Sequence, residues 1–88
     1  MNVYYSPYFI KQYRKLTKKN QPLKQLIKKA INQYIKSPQH PTLRLHKLKG
    51  KMIDDWSISV KTNIRVIFTY VKDGILLVDI GSHDEVYR

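Results

Sequence analysis

The spacing of apolar side chains changes its period once along this chain, between residues 36 and 43. From residue 8 to residue 35, apolar side chains recur every three or four positions, as on one face of an α-helix. From residue 43 onward they tend to alternate with polar ones, as in a half-buried strand. Each pattern has a single apolar face that needs a partner, so helices packed on one face of a sheet are expected.

Two helices are predicted in the first part. Ser6–Pro7 suits a helix start, because Ser caps free amide groups and Pro fits the first turn. The first helix then runs from Tyr8 to about Lys19, and Pro22 opens the second, which ends at Ser37–Pro38. The apolar stripe of the second helix comprises Leu23, Leu26, Ile27, Ala30, Ile31, Tyr34 and Ile35. Together they predict an antiparallel helix hairpin.

Strands are predicted before and after this hairpin. A short β-prone segment at Asn2–Tyr5 opens the chain. The strands predicted after the hairpin are Leu43 to about Lys51, Trp56–Val60, Ile64–Val71 and Ile75–Ile80. The fold class is therefore α+β, with an N-terminal strand and a two-helix hairpin on one face of a four- to five-stranded, mainly antiparallel sheet. Residues 1–88 form one domain.

Charge is strongly segregated along the chain. The net charge is +11, yet residues 1–53 contain no Asp or Glu and thirteen Lys and Arg. Such a field attracts a polyanion, with nucleic acid first and an acidic protein second. A merely solvated basic face is the plain alternative. Cysteine is absent, and no apolar run approaches a membrane span, so we expect a cytoplasmic protein without disulfides and without membrane association.

Three short segments concentrate the polar residues that could carry chemistry. They are "LHKLKGK" at 45–51, "NIRVIF" at 63–68 and "GSHDEVY" at 81–87. In a meander of neighbouring strands, these segments could converge on one face of the sheet. Each residue alone also has an ordinary structural reading, since Arg65 could pair with a nearby Asp and Tyr87 could anchor the tail. His40, His46 and His83 lack close ligand spacing, so no metal and no small-molecule cofactor is expected.

In this order, followed through "WSISV" and "GILLVDI", these segments resemble the RelE/ParE superfamily of toxins from bacterial type II toxin–antitoxin systems. The resemblance covers nearly the whole chain. It implies an mRNA endoribonuclease that inhibits translation on the ribosome, with a cognate acidic antitoxin, mRNA and ribosomal RNA as partners. Two alternatives remain at this stage, a ParE-like poison of DNA gyrase and a non-catalytic RNA-binding module.

The resemblance also implies site residues. RelE-like toxins use lysines, an arginine and a C-terminal tyrosine, which correspond to Lys47, Lys49, Arg65 and Tyr87. YoeB-like and YafQ-like toxins use a histidine near the C-terminus, which corresponds to His83. A second histidine of YafQ-like toxins corresponds to His46, whereas another histidine and an aspartate of that group are replaced by Ser59 and Asn63.

Cleavage of RNA without a metal needs a base for the 2′-hydroxyl proton, an acid for the 5′-oxygen and cations for the developing charge. The histidine pKa, near neutrality, suits both proton roles. We expect His83 to be the acid, His46 the base and Arg65 the phosphate ligand. Tyr87 would stack on a base or orient the phosphate. Lys47, Lys49 and Lys51 would bind RNA.

Overall fold

The computed structural model describes residues 1–49, 54–82 and 86, and its elements follow the predicted order. They are β1 (Asn2–Tyr5), α1 (Pro7–Thr17), α2 (Gln21–Lys36), a 3₁₀ turn (Pro41–Leu43), β2 (His46–Lys47), β3 (Asp55–Lys61), β4 (Ile64–Val71) and β5 (Gly74–Ser82). The predicted α+β class is confirmed, with both helices on one face of a five-stranded mixed sheet.

Both helices begin where the sequence places capping residues. The Ser6 Oγ accepts a hydrogen bond from the Phe9 amide at 3.0 Å, and Pro7 occupies the first position of α1. At the start of α2, the Asn20 Oδ1 accepts from the Leu23 amide at 3.1 Å. These caps satisfy amide groups that a helix start leaves without an intrahelical partner. They fix where each apolar stripe begins, and so which side chains face the sheet.

The main core lies between the helices and one face of the sheet. It combines the buried stripe of α1 and α2 with alternate side chains of β3, β4 and β5. The buried members are Phe9, Leu23, Ile27, Ala30, Tyr34, Leu43, Ile58, Ile64, Val66, Phe68, Ile75, Leu77 and Ile80. Burial of these side chains is the main source of stability in a small chain without disulfides.

The strands are ordered β1-β5-β4-β3-β2, with β1 parallel to β5 and the other neighbours antiparallel. Asp73, in the turn between β4 and β5, holds β1 in place. Its Oδ2 accepts hydrogen bonds from the Tyr4 hydroxyl and the Asn2 amide, each at 2.9 Å. These two hydrogen bonds, from Tyr4 and then from Asn2, lower the pKa of Asp73. Gly74 is required beside β1, since a Cβ there would collide with the Asn2 carbonyl.

Of the strand predicted from Leu43 to about Lys51, only His46 and Lys47 form a strand among the described residues. A 3₁₀ turn occupies Pro41–Leu43, Arg44 adopts a left-handed backbone with φ of 48°, and β2 is only two residues long. Proline fixes the first torsion of the turn, and the left-handed residue reverses the chain before it can pair. Lys51 lies outside the described residues. Leu43 therefore joins the helix-side core instead of continuing a strand.

Tyr34 closes the end of the main core beneath α2. Its ring packs edge-on against Phe68 with centroids 5.0 Å apart, and its hydroxyl donates to the Tyr70 hydroxyl at 2.9 Å. Burial, followed by the hydrogen bond to Tyr70, raises the pKa of Tyr34. Tyr34 therefore stays neutral across the physiological range.

Neither of the helices in the described part of the chain has the length and hydropathy to cross a bilayer.

The buried stripe of α2 offers a matched stability test. Ile27 is 1% exposed, whereas its neighbour Leu26 is 38% exposed. We expect Ile27→Ala to lower the free energy of unfolding by about 2–5 kcal/mol, because it leaves a cavity under the helix. Leu26→Ala should cost less than about 1 kcal/mol. Urea unfolding followed by circular dichroism measures both. Equal losses would mean that α2 is not packed through the Ile27 face.

Candidate functional site

The sheet face that points away from the helices carries a second, smaller apolar cluster. It consists of Leu48, Ile67 and Val86, with Val78 partly buried against it. Val86 lies four residues beyond the end of β5 and is 3% exposed. Val86 therefore packs on this face of the sheet. We call this side of the sheet the open face.

Strand register places polar residues in two rows across the open face. In the first row His46 lies opposite Ser57, Ser57 opposite Ile67, and Ile67 opposite Asp79. In the second row Ser59 lies opposite Arg65, and Arg65 opposite Gly81. Directly opposed residues in antiparallel strands point to the same side of the sheet. Side chains of β2, β3, β4 and β5 therefore meet on this face.

Arg65 is the most unusual residue of the open face. Its Nε and Nη1 atoms are buried, and neither has a hydrogen-bond partner among the residues described. A buried donor without a partner costs about 1–3 kcal/mol, and more when it is charged. Gly81, its neighbour on β5, has no side chain that could occupy the space beside the guanidinium. A guanidinium held in this way is ready to bind an anion that supplies the missing acceptors.

His46 shares this face with Arg65 from the other side of β3. With two strand spacings across and two residues along, their Cα atoms are about 12 Å apart. Both side chains are long enough to reach toward a group that lies between them. Register thus brings His46 and Arg65 onto one surface, as the sequence predicted for their segments.

A hydrogen bond to the backbone orients the imidazole of His46. Its Nδ1 lies 2.9 Å from the carbonyl oxygen of Arg44. A carbonyl oxygen can only accept, so Nδ1 carries the proton in this pair, and the neutral ring has its lone pair at Nε2. This tautomer is the one that a general base requires. The left-handed backbone of Arg44 directs that carbonyl to the ring.

The lysines predicted beside His46 do not all share its face. Lys47 lies opposite Trp56, which packs against the main core, so its backbone position belongs to the helix side of the sheet. Lys49 follows β2 and is exposed. Lys51, His83 and Tyr87 lie outside the described residues. Among the residues that are described, no cluster of three His, Asp or Glu could hold a metal ion.

Taken together, a buried cation and an oriented imidazole on one surface fit a phosphate diester better than a neutral ligand. Comparison with known proteins identifies the family of the chain. The sequence profile of the bacterial toxin YafQ, from type II toxin–antitoxin systems, matches residues 1–88. The chain belongs to the YafQ toxin family. It is therefore a toxin of the YafQ/YoeB kind, a group known as mRNA interferases.

Solved structures agree with this fold. A copper-bound mutant toxin from Helicobacter pylori has a TM-score of 0.84 and 23% identity, with 98% of each chain covered. YafQ from Escherichia coli has a TM-score of 0.82 and 17% identity, covering 99% of this chain and 98% of its own. In the E. coli DinJ–YafQ complex the corresponding values are 0.79 and 17%, with the same coverage. No curated protein sequence matches this toxin.

Sequence reasoning missed three residues that shape the open face of this YafQ-family toxin. Ser57 is fully buried between His46 and Ile67. The alternation of apolar and polar residues in "WSISV" could have indicated that Ser57 lies on the face of the sheet opposite to Trp56 and Ile58. Gly81 faces Arg65 only because of the β4–β5 register, which no local pattern reveals. The carbonyl of Arg44 orients His46 through a backbone torsion, for which the sequence carries no signal.

The unpartnered guanidinium leads to a stability test. We expect Arg65→Met to leave the free energy of unfolding unchanged or to raise it by about 1–2 kcal/mol, because it removes buried donors that lack acceptors. Arg14→Met, on the exposed surface of α1, is the control and should stay within about 0.5 kcal/mol of the parent. Urea unfolding provides the measurement. A loss above about 3 kcal/mol for Arg65→Met would show that Arg65 has a stabilising partner.

Proposed function

We propose that this toxin is an mRNA endoribonuclease that cuts its substrate on the ribosome, without a metal, by using the 2′-hydroxyl of the RNA. The observation that carries the proposal is the Arg65 guanidinium, whose Nε and Nη1 are buried without acceptors in the described part of the chain. A phosphate diester supplies paired oxygen acceptors for that group. The oriented imidazole of His46 on the same face supports a proton-transfer role beside the phosphate.

The reaction then proceeds in one displacement at phosphorus. His46 Nε2 accepts the proton of the 2′-hydroxyl, whose oxygen attacks the adjacent phosphorus. Negative charge grows on the phosphate oxygens, and Arg65 stabilises it there more strongly than in the ground state. The bond from phosphorus to the 5′-oxygen breaks, and His83 donates a proton to that oxygen. The products are a 2′,3′-cyclic phosphate and a free 5′-hydroxyl.

Chain connectivity supports the assignment of His83. Ser82 ends β5 opposite Ile64, and Val86 packs on the open face against Leu48 and Ile67. His83 follows Ser82 directly in the sequence and precedes Val86 by three residues, so its two described neighbours both belong to this part of the molecule. In our proposal Tyr87, next to Val86, stacks on a base or orients the phosphate.

The charge of the chain supports a polyanionic partner beyond the cleaved strand. All thirteen basic residues of positions 1–53 lack an acidic neighbour in that part of the sequence. We assign Lys47, Lys49 and Lys51 to electrostatic contacts with RNA, either mRNA or ribosomal RNA. Lys47 and Lys49 are exposed, as such contacts require. Neither lysine needs to touch the scissile phosphate for this role.

Substitutions of the three assigned residues test the proposal. His46→Ala, Arg65→Met and His83→Gln should each lower the rate of mRNA cleavage by about 10²–10⁴-fold, as expected for loss of a proton-transfer or charge-stabilising group. Mapping of mRNA 5′ ends after induction, together with growth arrest, gives the readout. His40→Gln is the matched control, since His40 contacts Thr42 in the 3₁₀ turn and has no role in the proposed reaction.

The same strains separate the gyrase alternative. Growth arrest that persists in all three variants, with double-strand DNA breaks and intact mRNA, would contradict the nuclease assignment and favour a gyrase poison. Full toxicity of His83→Gln with intact cleavage would contradict the role of His83. It would instead assign catalysis to the RelE-like set of residues, Lys47, Lys49, Arg65 and Tyr87.

We also propose that a cognate acidic antitoxin covers the groove between α1 and α2. This groove measures about 750 Å³ and has an apolar floor that includes Phe9 and Ile31. Arg14, Lys24 and Lys28 form a basic rim. An amphipathic segment with an acidic face would bury the floor and neutralise the rim. The DinJ–YafQ complex, an antitoxin bound to a toxin of similar fold, supports such a partner.

Charge reversal on the rim tests the position of the antitoxin. Lys24→Glu combined with Lys28→Glu should weaken antitoxin binding by at least about tenfold, because like charges then face each other. The isolated toxin should remain able to arrest growth. Lys19→Glu combined with Lys72→Glu is a control with the same change in net charge, outside the groove. Titration calorimetry with the antitoxin encoded in the same operon measures both, and equal weakening would place the interface elsewhere.

A further inference from the structure

Three adjoining concavities run from the outer surface of α2 to the end of β3. The first measures about 370 Å³ and lies on α2, where Lys29 and Gln33 help to line it. The second, of about 380 Å³, shares these two residues and reaches the 3₁₀ turn. The third, of about 410 Å³, shares three residues with the second and includes Lys61. Because each concavity shares lining residues with the next, we call the three together the α2–β3 band.

Strand pairing places the α2–β3 band mainly on the helix side of the sheet. Strand β2 pairs with β3 at residues 56 and 57 only, so the outer edge of β3 beyond them has no strand partner in the described structure. Lys61, at that edge, lies opposite Ile64, which belongs to the main core beneath the helices. Ser59, opposite Arg65, marks the border with the open face. The band is therefore a surface distinct from the candidate active site.

The α2–β3 band is basic along its whole length. Lys29 and Lys36 are exposed on α2, about 10 Å apart along the helix axis. Arg44 and Lys61 line the other end of the band. No carboxylate is among the described residues that line the three concavities. Asp55, the acidic residue of β3, lies at the opposite end of that strand from Lys61. The band therefore fits a polyanion.

The uncharged side chains of the band distinguish between kinds of nucleic acid. None of the described lining residues is Phe, Tyr or Trp, although the chain contains seven tyrosines. Single-stranded nucleic acid is commonly held by stacking of its bases on such rings, whereas an RNA duplex presents phosphates and 2′-hydroxyls. The amide of Gln33 and the hydroxyls of Thr42 and Thr62 can donate and accept hydrogen bonds, as a 2′-hydroxyl partner requires. This composition favours double-stranded RNA over a single strand.

We propose that the α2–β3 band binds double-stranded ribosomal RNA and thereby docks the toxin on the ribosome. Lys29, Lys36 and Lys61 contact phosphates of the duplex, and Gln33 contacts a 2′-hydroxyl. The open face then stays available for the mRNA that is cut. This inference rests on the proposed endoribonuclease function, and it adds an interaction surface with its own partner.

Equilibrium binding of a duplex tests the band without catalysis. The probe is a fluorescein-labelled, blunt-ended RNA duplex of about 16 base pairs, and a denaturing gel checks that it stays intact. Fluorescence anisotropy should show binding weaker by about tenfold or more for the triple variant Lys29→Gln, Lys36→Gln and Lys61→Gln. The slope of log affinity against log salt should become shallower by about 2–3, since each phosphate contact contributes about 0.9 on a duplex. Lys28 is left unchanged because it also lines the groove assigned to the antitoxin.

The matched control is the triple variant Lys15→Gln, Lys18→Gln and Lys19→Gln. It removes the same charge from exposed positions at the end of α1, outside the band. It should bind the duplex within about threefold of the parent, because salt screens charges that lie far from the ligand. Urea unfolding should give the parent's midpoint for both triple variants, since all six lysines are exposed. Equal weakening by the two variants would reduce the effect to net charge and overturn the proposal.

Gln33 tests the preference for RNA. Gln33→Ala should weaken binding of the RNA duplex about threefold and leave binding of a DNA duplex of the same sequence unchanged, since DNA lacks the 2′-hydroxyl. Equal affinity of the parent for the two duplexes, or tighter binding of single-stranded RNA of the same length, would overturn the assignment. An equal loss of polyglutamate binding in the band variant would also overturn it, in favour of an acidic protein partner.

Steady-state cleavage on programmed ribosomes separates docking from chemistry. The band variant should raise KM for the programmed ribosome about tenfold or more and change kcat less than about twofold, because docking contacts are equal in the ground and transition states. His46→Ala should instead lower kcat. A fall in kcat with unchanged KM for the band variant would overturn the docking role. Sedimentation of the parent with ribosomes, lost in the band variant but without any mRNA cleavage, would reject the nuclease function and retain the docking surface.

Discussion

Burial of the two helices on one face of the sheet is the constraint on which the rest of the structure depends. That single contact provides most of the buried apolar surface, since Phe9, Ile27 and Tyr34 all lie against β3, β4 and β5. Because the helices bury most of the apolar side chains on one face, the polar residues of the candidate site lie on the other. The small cluster around Ile67 includes Val86 on that other face, where the Nε and Nη1 atoms of Arg65 are buried without acceptors among the described residues.

This division also explains how a buried, unpartnered cation can persist. A small domain has about 5–15 kcal/mol of net stability, so a cost of a few kcal/mol at Arg65 is tolerable only when the core elsewhere is well packed. The main core meets that condition without using the open face. The main core and the candidate site therefore lie on opposite sides of the same strands. Substitutions on the two sides are expected to act almost independently.

Much of the fold could be predicted because local patterns determine it. Caps at Ser6 and Asn20, the stripe of α2 and the extent of β4 all follow from spacing and residue type. Pairing between distant segments could not be predicted, and β1 joins β5 in parallel through contacts to Asp73 that no local pattern specifies. For the site, Arg65 was found as a lone cation in an apolar strand. The left-handed torsion of Arg44, which precedes β2 and directs its carbonyl to His46, could not be predicted from residue type.

The parallel pairing of β1 with β5 has a consequence for the synthesis of the toxin. Asn2 is bonded to Asp73, 71 residues later, and β5 lies between β1 and β4 in the sheet. Until that last strand has left the ribosome, β1 has no partner and the helices cover an incomplete sheet. Proteins with such distant contacts gain their stability late, after a long loop has closed. The nascent chain thus reaches its full stability only after β5 has been synthesised and has paired with both β1 and β4.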